Sequence, residues 1–187
     1  MNSQKQSNLI FLGGIHGVGK SSFAKRLADR MNCQALTASK LIRQARLGKS
    51  TWDSKKRAAK IDENQELLLG EINKKLALGG LIILDGHYSL KDTSGYIKKL
   101  PTGFFKKLNP KILLMLLGDP VIVSNQLNSR DGKNELAHNV EIFQSIELEH
   151  ARSIGKTLNI PLLEVNTPDA DYIAIELDNL LQIPSCP

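Results

Sequence analysis

The length and composition of the chain indicate one globular domain. The chain has 187 residues, of which 41% are hydrophobic and 24% are charged, as in ordinary soluble proteins with about 100–200 residues per domain. No apolar run approaches the roughly 18 residues of a membrane span, and the polar start MNSQKQSN lacks the apolar core of a signal peptide. The sequence therefore argues against a membrane protein, a secreted protein and a fibrous protein.

The net charge and the cysteine content further limit the class of protein and its compartment. Lysine and arginine number 25 against 19 for aspartate and glutamate, a net charge of +6. This excess suits a partner that carries phosphate, and it equally suits plain solubility. The two cysteines, Cys33 and Cys186, are far apart and form no metal-binding or disulfide pattern. We therefore expect a reducing compartment, the cytoplasm.

Short apolar runs alternate with amphipathic stretches along the chain, which is typical of β-α-β units around a buried parallel sheet. The predicted strands are 9–12, 34–37, 81–84, 111–117 and 162–165. The predicted helices are 19–31, 39–47, 52–78, 104–108, 120–129, 136–158 and 169–181, with loops at 86–101 and 130–135. The pattern predicts an α/β fold, a three-layer α/β/α sandwich with a five-stranded parallel sheet.

A phosphate-binding motif follows the first predicted strand. Residues 14–21, GIHGVGKS, match the pattern G-x-x-x-x-G-K-[ST] without a gap. Its glycines let backbone N–H groups point at phosphate oxygens, and the next helix directs its positive end to the same point. Lys20 is expected to reach the β- and γ-phosphates and Ser21 to bind Mg²⁺, whereas His16 is expected to have no catalytic role. The sequence predicts a nucleoside triphosphate site.

The end of the third predicted strand indicates which chemistry follows. Asp85 ends this strand, where a carboxylate can meet the Mg²⁺ shell beside the phosphate-binding loop. The next residues are Gly86, His87 and Tyr88, and none of them is an obvious base for activating water. The pattern favours phosphoryl transfer to a bound acceptor, with Asp85 orienting that acceptor and organising Mg²⁺.

Cationic side chains elsewhere are candidates for binding phosphate groups. Arg130 and Lys133 lie in a polar loop between two predicted helices, where a lid would close on the transferring group. Arg43 is a candidate clamp for an acceptor phosphate. A solvated loop and a solvent-facing arginine are the competing interpretations. His87 is expected either to touch the acceptor or to satisfy a loop carbonyl.

Several segments resemble one known family. The loop GIHGVGKS is similar to the GVPGVGKT of the archaeal-type adenylate kinases, and so are DGHYSLKDTSGYIKKLP and the following FFKKLNPKILLML. More distantly, the chain resembles eukaryotic adenylate kinase-like ATPases of ribosome assembly. The resemblance covers nearly the whole chain and identifies it as a P-loop nucleoside monophosphate kinase-like protein.

The resemblance implies the fold and the site residues of that family. It implies a parallel sheet of order 2-3-1-4-5, a core of 8–36, 80–125 and 160–183, an acceptor-binding region at 37–78, and a lid at 128–137. It implies the reaction ATP + AMP ⇌ 2 ADP with Mg²⁺. The implied ATP-binding residues are Gly14, Ile15, His16, Gly17, Val18, Gly19, Lys20, Ser21 and Ser22, with Ser39 and Arg43 at the monophosphate and Asp85 at the metal and acceptor.

The predicted lid departs from the family pattern. It is the short segment SRDGKNE, with one arginine and one lysine, and Asn125 and Gln126 stand where the family has an arginine pair. Because such arginines stabilise the transition state, their loss predicts slower transfer. Three hypotheses follow: a nucleoside monophosphate kinase preferring AMP, a kinase for another small acceptor, or a slow nucleotide-switched module that binds RNA or protein.

Overall fold

A five-stranded parallel sheet forms the centre of the protein. The computed structural model describes residues 7–47, 60–91, 96–132, 134–166 and 169–182. Within them the strands are β1 Leu9–Gly13, β2 Gln34–Thr37, β3 Ile82–Asp85, β4 Ser89–Lys91, β5 Ile97–Lys99, β6 Ile112–Leu116 and β7 Leu162–Val165. The helices are α1 Lys20–Arg30, α2 Ala38–Leu47, α3 Lys60–Ala77, α4 Thr102–Leu108, α5 Pro120–Asp131, α6 Ala137–Leu158 and α7 Ala170–Gln182.

The predicted α/β class and the five parallel strands are confirmed. The sheet order is β2-β3-β1-β6-β7. Its numbers differ from the predicted 2-3-1-4-5 because the segment predicted as a loop at 86–101 contains the additional strands β4 and β5, while the five predicted strands occupy the predicted positions in the sheet. They pair with each other antiparallel, from Ser89 opposite Lys99 to Lys91 opposite Ile97, and form a separate two-stranded sheet. The first part of the predicted helix 52–78 lies outside the described residues, which resume at Lys60.

Apolar side chains of the sheet alternate between two faces and build a core on each. Phe11, Leu84 and Met115 face one layer, where they pack with residues of α3, α4 and α6. Leu12 and Ile83 face the other layer, formed by α1 and α7. Both faces are buried, which explains why the strands are nearly continuous apolar runs. None of the described helices is long and apolar enough to cross a lipid bilayer.

The strand register places two chain segments at one edge of the sheet. β1 pairs in parallel with β3, with Leu12 opposite Asp85. Parallel strands present their carboxyl ends at the same edge, so the loop that leaves β1 and the segment that leaves β3 emerge side by side. Ligands of open α/β sheets bind at this edge.

Tyr88 fixes the close approach of these two segments. Its side chain is fully buried, and its hydroxyl donates a hydrogen bond to the carbonyl oxygen of Leu114 at 2.9 Å. Its ring packs edge-to-face against Phe11, with ring centroids 5.0 Å apart, and fills the space beside Gly13. A Cβ atom at Gly13 would lie 2.1 Å from Cε2 of Tyr88, so only glycine fits at the end of β1.

We predict that Gly13→Ala lowers the free energy of unfolding by at least about 2 kcal/mol, because the buried ring has no room to move away. Gly70→Ala is the matched control, since Gly70 is exposed on α3 and a Cβ there meets nothing within 4 Å. This control should gain about 0.5–1 kcal/mol from the lower chain entropy of alanine. Urea denaturation measures both changes, and equal stabilities of the two variants would contradict the packing described.

Candidate active site

The loop between β1 and α1 is shaped to bind an anion. Gly17 and Gly19 have φ angles of 85° and 89°, in the left-handed region that glycine adopts without strain. A Cβ at Gly17 would also lie 2.8 Å from Cγ of Leu127. Lys20 begins α1 directly after Gly19, so the N-terminal N–H groups of this helix face the loop and favour a phosphate there.

Lys20 crosses the loop in a buried position. Only 7% of the residue is exposed, and its ammonium donates a hydrogen bond to the carbonyl oxygen of Ile15 at 2.8 Å. Burial lowers the pKa of Lys20, while the carboxylates of Glu147 and Asp85 act in the opposite direction. The lysine therefore lies among acidic groups at the point where the phosphates of a nucleotide would enter.

Ser21 and Asp85 join the two segments at this edge of the sheet. The Ser21 hydroxyl donates a hydrogen bond to Oδ2 of Asp85 at 2.5 Å. Asp85 is buried at the end of β3, where the parallel register holds it beside the start of α1. A hydroxyl and a carboxylate are oxygen ligands of the kind that Mg²⁺ prefers, together with water and nucleotide phosphates. These two residues therefore fit a magnesium ion that arrives with a nucleotide.

A cavity of about 670 Å³ extends from this point toward α2 and α3. Most of the predicted site residues line it: His16, Gly17, Gly19, Lys20, Ser21, Ser22, Ser39, Arg43, Asp85, His87 and Arg130. Gly14, Ile15 and Val18 do not. The Ile15 side chain is buried in a small core cluster with Val123, Val140 and Phe143, so only the backbone of Ile15 is placed to serve the loop.

The far side of the cavity contains residues that sequence reasoning missed. Arg46 lies one helical turn after Arg43 on α2 and donates a hydrogen bond to Oδ1 of Asn64 on α3. Gln65 lines the same wall, and its buried amide nitrogen has no hydrogen-bond partner within the described ranges. The spacing of Arg43 and Arg46 was a usable signal, since residues three apart share a helix face. Apolar side chains complete the wall: Ile42, Leu68, Leu90, Leu100 and Phe104.

His87 lines the cavity, so its predicted contact with an acceptor stays a prediction. Its ring lies beside that of His16, with centroids 4.2 Å apart, and its Nδ1 is 3.6 Å from Oε1 of Glu147. This distance is too long for a hydrogen bond, and Nδ1 has no such bond elsewhere in the described part of the chain. Glu147 was not predicted, because nothing in the sequence of α6 relates it to residues sixty positions earlier.

The loop within the candidate lid is shorter than the predicted 130–135 and is braced at its base. Helix α5 extends to Asp131 and α6 begins at Ala137, so only 132–136 remain between them, of which Lys133 lies outside the described residues. The Asn128 side chain accepts a hydrogen bond from the Glu135 N–H at 2.7 Å and donates one to the Glu135 carbonyl oxygen at 3.1 Å. Together the two bonds close the base of the turn.

Arg130 borders the cavity but is engaged by its neighbour. Its guanidinium donates two hydrogen bonds to the Asp131 carboxylate, at 2.7 and 2.9 Å. These bonds raise the pKa of Arg130 above its ordinary value. The side chain is 61% exposed, so a phosphate that entered the cavity would compete with Asp131 for it in contact with solvent.

Comparison with known proteins assigns the family. Residues 13–143, which include the phosphate-binding loop, Asp85 and the candidate lid, match the AAA domain family. The chain belongs to this family. The match spans both halves of the cavity and ends within α6, at Phe143.

Solved structures show the same P-loop kinase fold. A candidate kinase from Chloroflexus aurantiacus J-10-fl has a TM-score of 0.61 at 16% identity, over 95% of this chain and 100% of that one. Shikimate kinase from Acinetobacter baumannii in complex with shikimate has a TM-score of 0.58 at 18% identity, over 94% and 95%. A gluconokinase from Sinorhizobium meliloti 1021 has a TM-score of 0.52 at 15% identity, over 98% and 100%.

We predict that Asn128→Ala accelerates hydrogen exchange of the Glu135 amide by about tenfold, because that N–H loses its acceptor. Asn125→Ala, on the exposed face of the same helix, is the control and should leave this exchange unchanged. Exchange followed by NMR at residue resolution measures the effect. The brace would be refuted by an Asn128→Ala variant whose Glu135 amide exchanges at the rate of the unmodified protein.

Proposed function

We propose that this AAA domain protein transfers the γ-phosphoryl group of Mg-ATP to a nucleoside monophosphate, with AMP preferred, in the reaction ATP + AMP ⇌ 2 ADP. One observation carries the proposal: a single cavity joins the phosphate-binding lysine and Asp85 at one end to Arg43 and Arg46 at the other. A cavity of this kind holds a donor and an anionic acceptor end to end. We propose that the protein acts in the cytoplasm, where both nucleotides are available.

The donor end takes the triphosphate. The loop from Gly14 to Ser22 surrounds the phosphates with backbone N–H groups, and the Lys20 ammonium exchanges the Ile15 carbonyl for the β- and γ-phosphate oxygens. The Ser21 hydroxyl and the Asp85 carboxylate would hold Mg²⁺, which would neutralise charge on the transferring group. Asp85 also faces the acceptor side, where it can orient the attacking group.

The acceptor end provides two cations and an apolar wall. Arg43 and Arg46 suit a phosphate group, because a guanidinium forms paired hydrogen bonds with its oxygens. Ser39 and His87 border the same space. The apolar wall with Leu68 and Phe104 suits a flat nucleobase, and the amide nitrogen of Gln65 can donate a hydrogen bond to it. We propose that region 37–78 binds the acceptor and that 128–137 acts as the lid within one domain.

Transfer to an acceptor accounts for the residues better than hydrolysis does. Gly86 follows Asp85, so no second carboxylate stands there to activate water. Arg130 of the lid would leave its contact with Asp131 to bind the phosphoryl group. Closure of the lid around both substrates would exclude water from that group. With so few cations in the lid, we expect slow turnover. The small number of cations in the lid also fits an alternative function. In this alternative the protein is a nucleotide-switched module, and its RNA or protein partner supplies a further arginine.

A second candidate acceptor is a small hydroxy acid. The fold is shared with a shikimate kinase and a gluconokinase, whose named substrates carry hydroxyl and carboxylate groups. Arg43 and Arg46 would bind a carboxylate as well as a phosphate. In that case a hydroxyl of the acceptor, and not a phosphate oxygen, would receive the phosphoryl group.

We expect ADP formation from Mg-ATP to rise strongly with one member of an acceptor panel: AMP, CMP, GMP, UMP, dAMP, shikimate or gluconate. Lys20→Ala should reduce the stimulated rate at least about 100-fold, because the transferring charge loses its closest cation. Lys25→Ala, which removes an exposed lysine of the same helix, should keep the full rate.

The panel separates the hypotheses. Stimulation by AMP above the other nucleotides supports the adenylate kinase reading, and stimulation by shikimate or gluconate supports the hydroxy acid. A slow hydrolysis that no acceptor stimulates would contradict both kinase readings and favour the nucleotide-switched module.

Arg43 provides a test of the acceptor end alone. We predict that Arg43→Ala raises the KM for the acceptor by about 10–100-fold, the loss of a charge-assisted hydrogen bond, and leaves the KM for ATP unchanged. Lys40→Ala removes an exposed cation of the same helix that does not line the cavity, and should change neither constant. Steady-state kinetics with each substrate varied in turn measures the effect; an equal rise in both KM values would place Arg43 outside the acceptor site.

A further inference from the structure

Helix α6 carries a buried carboxylate directly behind the phosphate-binding loop. Glu147 is 0% exposed, although a charged group pays a large cost on leaving water unless it is paired or hydrogen-bonded. The residue is outside every motif found in the sequence, and the family match ends before it, at residue 143. Its position therefore calls for an explanation from its contacts.

A single oxygen of Glu147 joins both segments of the active site. Oε1 accepts a hydrogen bond from the N–H of Tyr88 at 2.9 Å and a longer one from the N–H of Gly14 at 3.3 Å. Gly14 begins the phosphate-binding loop, and Tyr88 ends the run that starts at Asp85. The same oxygen lies 3.6 Å from Nδ1 of His87.

These contacts set the relative position of donor and acceptor groups. A buried N–H without an acceptor is costly, so both segments are drawn to the same carboxylate. The charge of Glu147 also acts on Lys20 and opposes the effect of burial on that ammonium. His87 lies beside the same oxygen, and the ring of His16 lies beside that of His87.

We infer that Glu147 is a positioning residue for phosphoryl transfer: its carboxylate oxygen holds the phosphate-binding loop at Gly14 and the Asp85–Tyr88 segment in fixed register. The expected effect of Glu147 on turnover rests on the proposed function, whereas its expected effect on structure rests on the two hydrogen bonds alone. We infer that catalysis requires the position of this oxygen and not the negative charge of the carboxylate.

Two substitutions of Glu147 distinguish the effect of the position of its oxygen from the effect of its charge. Glu147→Gln keeps the length and an accepting oxygen but removes the charge. Glu147→Asp keeps the charge but draws the carboxylate back by one methylene, about 1.5 Å. Ile154→Val is the control, since Ile154 is also fully buried and lies two turns further along the same helix. Thermal unfolding of each variant sets a temperature at which all are folded.

At that temperature we expect Glu147→Asp to lower kcat by about 10–100-fold, the usual cost of displacing a supporting group or a reactant by about 1 Å. Glu147→Gln should stay within about threefold of the unmodified protein, as should Ile154→Val. Hydrogen exchange of the Gly14 and Tyr88 amides, measured without nucleotide, should accelerate in Glu147→Asp and stay slow in the other two variants.

The results distinguish failure of the proposed function from failure of the inference about Glu147. If the protein shows no acceptor-dependent transfer, the proposed function is refuted. Hydrogen exchange of the Gly14 and Tyr88 amides then decides whether Glu147 positions these segments. Unchanged exchange and kcat in Glu147→Asp would overturn the inference. A large loss in Glu147→Gln with Glu147→Asp unaffected would overturn it as well, because the charge and not the place of the oxygen would then be required. An equal loss of kcat in Ile154→Val would show a general packing effect and also overturn it.

Discussion

The parallel pairing of β1 with β3 is the constraint that organises the whole site. The hydrogen bond from the Ser21 hydroxyl to Asp85 depends on it. Pairing of Leu12 with Asp85 brings the start of α1 to the end of β3, so a residue at position 21 meets one at position 85 at 2.5 Å. Such a meeting of distant segments needs a rigid sheet buried on both faces. The phosphate-binding loop, the Ser21–Asp85 pair and the cavity all take their positions from this sheet.

A small group of buried charges surrounds this point. Lys20 lies between Asp85 and Glu147, and each of the three is at least nine-tenths buried. Buried charges are tolerated when they face opposite charges and hydrogen-bond partners. Here backbone N–H groups donate to Glu147, the Ser21 hydroxyl donates to Asp85, and the Ile15 carbonyl oxygen accepts from Lys20. A triphosphate with Mg²⁺ adds charge of both signs at the same place. This arrangement supports the proposed transfer of a phosphoryl group between anions, in which the arginines of α2 would bind the acceptor.

The sequence predicted those parts of the molecule that depend on local pattern. Residues 14–21 form one continuous loop and helix start, so their spacing alone predicted a phosphate site there, and Asp85 was predicted because it ends an apolar strand. β4 and β5 were missed because each has three residues and because the segment around them is rich in turn-forming residues such as Gly86, Asp92 and Gly95. Glu147 and the Arg46–Asn64 contact depend on how helices pack against each other, which no local pattern in one sequence specifies.

The fate of the γ-phosphoryl group tests the central claim, that one cavity joins a nucleotide donor to an anionic acceptor. ATP labelled in the γ-phosphate is incubated with Mg²⁺, the protein and the acceptor that stimulates most, and the products are separated by chromatography. The account predicts that the label appears on the acceptor, as labelled ADP where the acceptor is AMP. Label found only in inorganic phosphate would show that water is the acceptor and would contradict the account.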